Sequence, residues 1–177
     1  MARVLEKKER SLGTKLSIRG DRASSPKAAL IRKPYKPGQH GKRFSKSSEF
    51  GIQILEKQKI KFSYVITERQ LKKIFENSRS QKRTSAINAV TAFLESRLDN
   101  VVVRLGFAPS RSVARQLVSH GHFLVNGHKT TTPSYQVSSG DLITLQESSK
   151  SMPMFEDIKD KLKNYNVPSS WLSLNKD

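Results

Sequence analysis

Arg111 and Arg115 stand one helical turn apart, and their type and spacing point most directly to binding chemistry. A guanidinium can donate two parallel hydrogen bonds to one phosphate. At about 100° per residue, both arginines fall on the side of a helix opposite Val113, Ala114 and Leu117. The pattern predicts a helix with an apolar face toward the core and a basic face that binds phosphate. On composition alone, a solvated basic face is an equal alternative.

Polar side chains surround this arginine pair in the sequence. Ser110 is the predicted N-cap of the helix, whose first amides would then be open to an anion. Asn126 and Gly127 predict a type I′ hairpin turn, because both turn positions need positive φ. The candidate contacts of this stretch, besides the arginine pair, are Arg97, Ser110, Gln116, His120, His122, Asn126 and Lys129.

Several of these residues also have a purely structural interpretation. His120 could complete the end of the helix, Asn126 could serve only the turn, and Gln116 could be solvated. A metal site at His120, His122 and His128 is disfavoured, since no set of carboxylates or thiolates accompanies them. No metal ion or other cofactor is therefore expected.

The composition favours a polyanionic partner. The 177 residues include 33 Lys+Arg against 15 Asp+Glu, a formal net charge of +18, and only 35% are hydrophobic. Residues 1–48 alone hold 14 basic and 3 acidic residues, a net charge of +11. Because a chain with this self-repulsion gains from neutralisation, nucleic acid is the first candidate partner.

The chain contains no cysteine, which removes disulfides, thiolate metal sites and cysteine nucleophiles. The amino terminus lacks the apolar run of a signal peptide. No window approaches the roughly 18 apolar residues of a membrane span. A soluble, intracellular protein without a membrane partner is expected.

A second candidate surface is the arm RKPYKPGQHGKR, residues 32–43. Its two X-Pro steps favour an extended backbone, its two glycines allow close approach to a partner, and its aromatic rings lie among five cations. This interleaving favours a defined bound conformation over the alternative of a disordered basic tail. The candidate contacts of the arm are Arg32, Lys33, Tyr35, Lys36, Gln39, His40, Lys42 and Arg43.

The first predicted helix after the arm begins at Ser47 or Ser48. Phe50, Ile54 and Leu55 have the spacing of a core face. Three lysines near its end suit either the helix dipole or an RNA phosphate. These further candidate contacts are Lys57, Lys59 and Lys61.

The rest of the pattern combines helices with short strands. The predicted elements are helices at 67–75 (capped by Thr67), 86–98 and 98–105, a hairpin at 122–130, and strands at 133–137 and 142–145. Asp99 and Asn100 are expected to interrupt the helical pattern. In the tail, we expect a modest helix near 156–163 and docking of Trp171 onto the protein itself.

Several of these segments resemble one protein family. LDNVVVRLGFAPSRSVARQLVSHGHFLVNG is similar, nearly residue for residue, to the αL RNA-binding motif of the bacterial-type small-subunit ribosomal protein four family. The likeness extends, in the same order, to RKPYKPGQHGKR, SSEFGIQILEKQKIKFSYVITERQLKKIF, PSYQVSSGDLI and PSSWL. It therefore covers most of the chain.

The resemblance implies an α+β fold in several parts. These are a basic arm at 1–48, a largely helical domain at 49–94 completed by the tail at 148–177, and an inserted αL domain at 95–147. The αL domain would place two helices on a short antiparallel sheet.

The resemblance also implies a structural function on the ribosome. The chain would bind small-subunit ribosomal RNA directly, nucleate early assembly of its 5′ domain and contribute to translation fidelity near the messenger entry side. Its partners would be that RNA, neighbouring small-subunit proteins and, as a further candidate, messenger RNA. A cytoplasmic ribosome is expected, with an organellar one as the alternative.

Two departures from the family are visible. Many members have RCYSPKCAL where this chain has RASSPKAAL, so Ala23 and Ala28 stand at the expected zinc-ligand positions and zinc is not expected. The polar joint at 77–85 is also short for the family.

Two rival functions fit the sequence less well. An RNA-modifying enzyme with an appended αL domain would need a catalytic domain, for which too little chain remains. A free-standing RNA chaperone would lack the long arm and tail. A non-enzymatic function is expected.

Overall fold

The computed structural model describes residues 6–16, 20, 25–43, 46–79, 85–155, 162 and 165–175. The elements are α1 (Lys7–Leu12), α2 (Ala29–Arg32), α3 (Glu49–Ser63), α4 (Glu68–Arg79), α5 (Ala86–Glu95), α6 (Leu98–Arg104), α7 (Arg111–Ser119), β1 (Phe123–Val125), β2 (His128–Lys129), β3 (Ile143–Leu145) and α8 (Glu147–Lys150). The α+β class is confirmed. None of the described helices has the length and apolar character needed to cross a bilayer.

The chain divides into two compact units, residues 1–73 and 74–177. The predicted segmentation at residues 48, 94 and 147 stays a prediction. Helix α4 runs on to Arg79, so the joint expected from residue 77 is partly helical.

The predicted caps begin the helices of the first unit. Ser48 Oγ accepts a hydrogen bond from the Gly51 amide at 3.2 Å and starts α3. Thr67 Oγ1 accepts from the Gln70 amide at 3.3 Å, and Gln70 Oε1 accepts from the Thr67 amide at 3.0 Å. This reciprocal capping box satisfies amides that a helix start leaves unpaired. The caps predicted at Ser48 and Thr67 are confirmed.

Helix α3 lacks the expected core face. Phe50 is 69% exposed and Ile54 is also exposed, so the prediction that both pack in the core is wrong. Ile52 lies about 200° around the helix from Phe50, and it is exposed as well. Because the apolar residues are distributed around the helix, no single face can bury them together.

Helices α6 and α7 and the sheet share one apolar cluster in the second unit. Helix α6 confirms the prediction made from its spacing, and Gly106 follows it at φ +86°. The Phe107 and Phe123 rings meet edge to face, with centroids 5.8 Å apart. The buried members of the cluster are Leu98, Val102, Ala108, Ala114, Leu117, Val118, Phe123, Val125 and Phe155.

The three strands form an antiparallel sheet in the order β2-β1-β3. Asn126 and Gly127 have φ values of +50° and +80°, as the predicted hairpin turn requires. Strand β3 pairs with β1, with Thr144 opposite Leu124. The predicted hairpin and the strand near 142–145 are confirmed.

The strand predicted at 133–137 is wrong, because this segment caps a helix. The carbonyls of Tyr135 and Pro133 accept hydrogen bonds from the Leu98 and Asp99 amides, at 2.9 and 3.1 Å. Both amides lie in the first turn of α6 and have no partner within the helix. Within 133–137 only an isolated β-bridge forms.

The described tail contributes a phenylalanine to the core of the second unit. Phe155 is buried, and its ring lies edge to face with Phe123 at 6.4 Å and with His122 at 5.7 Å. Trp171 is 52% exposed, so the expectation that it docks onto the protein is wrong. The cluster beside β1 is filled by Phe155 instead. The helix predicted at 156–163 falls mostly outside the described residues.

We expect Phe155→Ala to lower the free energy of unfolding by about 3 kcal/mol, because it removes a fully buried aromatic ring and leaves a cavity. Trp171→Ala is the matched control, since Trp171 is about half exposed and its truncation should cost less. Urea unfolding followed by circular dichroism measures both variants. Equal losses for the two would contradict the packing described for the tail.

Candidate nucleic-acid interface

A buried carboxylate holds two of the arginines predicted to contact phosphate. Asp99 is 1% exposed. It accepts hydrogen bonds from Arg97 Nε at 3.0 Å and Nη2 at 2.8 Å, and from Arg115 Nε at 3.0 Å. Arg115 is only 8% exposed, so its predicted place on an open basic face is wrong. The Asp99 carboxylate in the first turn of α6 draws the Arg115 guanidinium inward, since a buried charge needs a partner.

The side-chain amide of Asn100 contacts Arg111. Asn100 is fully buried. Its Oδ1 accepts from Arg111 Nε at 2.9 Å, while its Nδ2 donates to the Glu95 carbonyl at 2.9 Å and to Glu95 Oε2 at 2.8 Å. Glu95 in turn accepts two hydrogen bonds from Arg104. Arg97 and Arg115 thus bind Asp99, Arg104 binds Glu95, and Arg111 joins this network through Asn100.

The predicted interruption of the helical pattern at Asp99 and Asn100 is wrong. In the structure Arg97 is the N-cap residue of α6, and Asp99 and Asn100 lie inside the helix. Their role could have been predicted from the sequence pattern. An acidic residue and an amide residue lie between two arginines and next to an apolar run.

Ser110 and Asn126 have structural roles in the second unit. Ser110 Oγ accepts from the Val113 amide at 3.4 Å, as predicted for the N-cap of α7. Asn126 Nδ2 donates to Asp141 Oδ1 at 2.9 Å, and its Oδ1 accepts from the Leu142 amide at 2.9 Å. Hydrogen bonds from the Ser138 amide and from Asn126 lower the pKa of Asp141.

Four candidate contacts of α7 and the hairpin are exposed, and a fifth is half-buried. His122 Nδ1 lies 2.9 Å from the buried Ser149 Oγ. Burial lowers the pKa of His122, and the positive charges of His120 and Lys129 add to this effect. The exposed candidates of this surface are Gln116, His120, Asn126 and Lys129.

The arm forms a folded turn in the first unit. Gly38 has φ +107°, and its carbonyl accepts from the Gly41 amide at 3.2 Å. A Cβ at Gly41 would clash with the Lys36 carbonyl oxygen, so a larger residue needs a different backbone path. Tyr35 is half-buried, and the exposed candidates of the arm are Arg32, Lys33, Lys36, Gln39, His40, Lys42 and Arg43. Arg10, which sequence reasoning missed, binds the backbone of this turn.

The three candidate lysines of α3 form ion pairs with the protein's own carboxylates. Lys57 and Lys61 lie 2.6 and 2.9 Å from Glu68, and Lys59 lies 2.6 Å from Glu56. Hydrogen bonds from Lys57 and then Lys61 lower the pKa of Glu68 to about 2. A phosphate would have to compete with these carboxylates for the lysines.

Comparisons with known proteins identify the family. Residues 5–95 match the model of the ribosomal protein S4/S9 N-terminal domain, and residues 96–143 match that of the S4 domain. The chain is 46% identical to small ribosomal subunit protein uS4 of Trichlorobacter lovleyi over 162 residues, which are 92% of this chain and 77% of the relative. The chain belongs to the uS4 family.

Other uS4 proteins give the same result. The protein of Caldicellulosiruptor saccharolyticus is 48% identical over 160 residues, 90% of this chain and 76% of the relative. That of Thermoanaerobacter pseudethanolicus is 47% identical over 166 residues, 93% and 78% of the two chains. Membership of the uS4 family confirms the predicted family and the expectation of a structural, RNA-binding ribosomal protein that is not an enzyme.

The zinc site expected in many uS4 proteins does not fit the residues of this chain. Ala28, at one ligand position, is buried and carries a methyl group with no donor atom. Ala23, at the other, lies outside the described residues. The chain has no cysteine to supply a thiolate.

The Glu68 ion pairs predict a pH dependence of stability. The lowered pKa of Glu68, about 2, means that its contribution is complete above about pH 4.5 and is lost as the pH falls toward 2. Because the pairs are exposed, we expect this contribution to be below about 1 kcal/mol. Urea unfolding of the parent and of Glu68→Gln from pH 2 to 6 should give free energies that converge at the acidic end. A difference that does not change with pH would contradict the assignment.

We expect Asp99→Asn to lower the free energy of unfolding by about 3 to 5 kcal/mol, because it removes the buried negative charge that two buried guanidiniums bind. Glu147→Gln is the control, since that carboxylate is exposed and such substitutions change stability by about 0.5 kcal/mol or less. Thermal and urea unfolding measure both. A parent-like Asp99→Asn protein would show that the two arginines do not depend on this carboxylate.

Proposed function

We propose that this chain binds small-subunit ribosomal RNA directly through two surfaces. The first is the arm surface, which consists of the exposed arm residues Arg32, Lys33, Lys36, Gln39, His40, Lys42 and Arg43. The second is the αL surface, which consists of Arg111, Gln116, His120 and Lys129. The observation that carries this proposal is that cations at both surfaces project from a defined backbone.

The two surfaces suit folded RNA better than a read-out of base sequence. Double-helical RNA hides its base edges in a deep, narrow groove, so proteins recognise its backbone geometry and its splayed bases. Asn100 orients the half-buried Arg111, and a guanidinium can donate two parallel hydrogen bonds to one phosphate. A cation with a fixed position loses less conformational entropy on binding.

The remaining candidates act differently in this proposal. Arg97, Arg115 and Ser110 fix α6 and α7 and thereby the αL surface. Asn126 and His122 support the hairpin and its packing. Tyr35 lies within the arm, and Lys57, Lys59 and Lys61 reach RNA only by exchanging their carboxylate partners.

We further propose the finer roles that uS4 membership suggests. The chain acts on the cytoplasmic ribosome, where it binds early, nucleates assembly of the 5′ domain and contacts neighbouring small-subunit proteins. A contribution to fidelity near the messenger entry side, with messenger RNA as a transient partner, belongs to the same proposal. Direct binding to the isolated 5′-domain RNA is its first requirement.

We expect the purified chain to bind isolated 5′-domain RNA with an affinity that falls steeply with salt, because each neutralised phosphate releases counterions. Lys33→Gln with Lys36→Gln should reduce the slope of log affinity against log salt by about 1.5, since each contact contributes about 0.7 to 0.9. Filter binding between about 50 and about 300 mM salt, a range that brackets physiological ionic strength, measures the slope.

The matched control is Lys73→Gln with Lys150→Gln, which removes the same charge from exposed positions outside both surfaces. A large-subunit RNA of equal length tests specificity. Equal slopes for the two double variants would contradict the assignment of the arm. Equal affinity for the two RNAs would contradict specific recognition of the 5′ domain.

A further inference from the structure

A single arginine of α1 binds the backbone of the arm. Arg10 Nε donates to the Lys33 carbonyl at 3.0 Å and to the Tyr35 carbonyl at 3.2 Å, and Nη2 lies 3.5 Å from the Lys36 carbonyl. These contacts join positions 23 to 26 residues apart in the chain. Arg10 therefore connects α1 with the turn of the arm, which is distant from α1 in the sequence.

The sequence of the arm limits the hydrogen bonds that its backbone can form with itself. Pro34 and Pro37 have no amide hydrogen, so this stretch cannot form a regular ladder of backbone hydrogen bonds. The fork of donors on a guanidinium suits several carbonyls at once, whereas a lysine ammonium is a compact charge on a flexible stem.

The Tyr35 ring adds a second contact to the same group. The Arg10 guanidinium lies over the ring, 5.0 Å from its centroid, and Lys42 Nζ lies 5.3 Å from it. Cation–π attraction of this kind contributes about 0.5 to 1 kcal/mol at exposed sites. Tyr35 thus links Arg10 to the far end of the turn, and its ring already interacts with two cations of the chain.

The helix that carries Arg10 is itself anchored. The adjacent Glu9 is buried, and its Oε1 accepts from the Leu16 amide at 3.0 Å. Gly13 ends α1 at φ +63° and donates its amide to the Glu9 carbonyl. The guanidinium of Arg10 therefore projects from a fixed base.

We propose that Arg10 is a positioning residue for RNA binding, which orders the arm so that its cations meet phosphates at a set spacing. This inference rests on the proposed function of the arm surface. Arg10 acts through the backbone of residues 33–36, and the phosphates are bound by Lys33, Lys36 and their exposed neighbours.

The test compares two variants. Arg10→Lys keeps the positive charge but loses the planar set of guanidinium donors, and Arg10→Gln loses both. Lys7→Gln is the control, because Lys7 is exposed on the same helix. We expect both Arg10 variants to bind 5′-domain RNA about tenfold more weakly, as for loss of preorganisation, and Lys7→Gln to stay close to the parent. The salt slope should fall for Arg10→Lys although its charge is unchanged.

Amide hydrogen exchange of the free protein gives a readout that does not involve RNA. In both Arg10 variants, the amides of residues 38–43 should exchange faster than in the parent, while those of α7 should not change. If Arg10→Lys binds RNA with the affinity and salt dependence of the parent, the proposal is overturned. Arg10 would then contribute only its charge. Unchanged exchange in the arm would also overturn it.

The same experiments distinguish a failure of this inference from a failure of the proposed function. If Lys33→Gln with Lys36→Gln leaves RNA binding intact, the arm surface is wrong whatever Arg10 does. If that double variant weakens binding and Arg10→Lys does not, only the positioning role of Arg10 is wrong.

Discussion

The Asp99 carboxylate is the interaction on which the second unit depends. Taking one carboxylate and two guanidiniums out of water costs several kcal/mol per ion, so the group is stable only when its hydrogen bonds are complete. In the described part of the chain, every buried side-chain nitrogen or oxygen has a hydrogen-bond partner. Asp99 thereby joins the start of α6 to α7, and its amide ties α6 to the segment around Pro133. The orientation of α7, and with it the αL surface, follows from this carboxylate.

The formal charge of +18 overstates the number of cations that can contact RNA. Arg97 and Arg115 are bound to Asp99, Arg10 is bound to carbonyls of the arm, and Lys57 and Lys61 share Glu68. Cations that hold the fold make the remaining ones more effective, because a fixed cation needs less ordering when RNA binds. RNA recognition by this member of the uS4 family then combines a modest number of positioned contacts with long-range electrostatic attraction.

Local features of the fold could be predicted from the sequence. The caps at Ser48, Thr67 and Ser110 and the Asn126-Gly127 turn depend only on residues within a few positions, and all four are confirmed. The helical spacing of α6 also overrode the strand tendency of its valines. The αL motif and the arm together were sufficient to predict the family.

Features that depend on distant partners could not be predicted in this way. Arg115 has the periodicity of an exposed residue, but it binds the buried Asp99 on another helix. Residues 133–137 have strand-like composition, but the free amides of α6 bind their carbonyls. Phe155, and not Trp171, is the buried ring of the tail because of the packing beside β1. Hydrophobic periodicity carries no information about that packing.

Lysine reactivity toward an acylating reagent, measured by mass spectrometry with and without 5′-domain RNA, tests most directly which cations meet the RNA. We expect Lys33, Lys36 and Lys129 to lose reactivity when RNA binds, while Lys73 and Lys150 keep theirs. Protection confined to Lys73 and Lys150, or no protection at any of the five, would contradict RNA binding through the arm and αL surfaces.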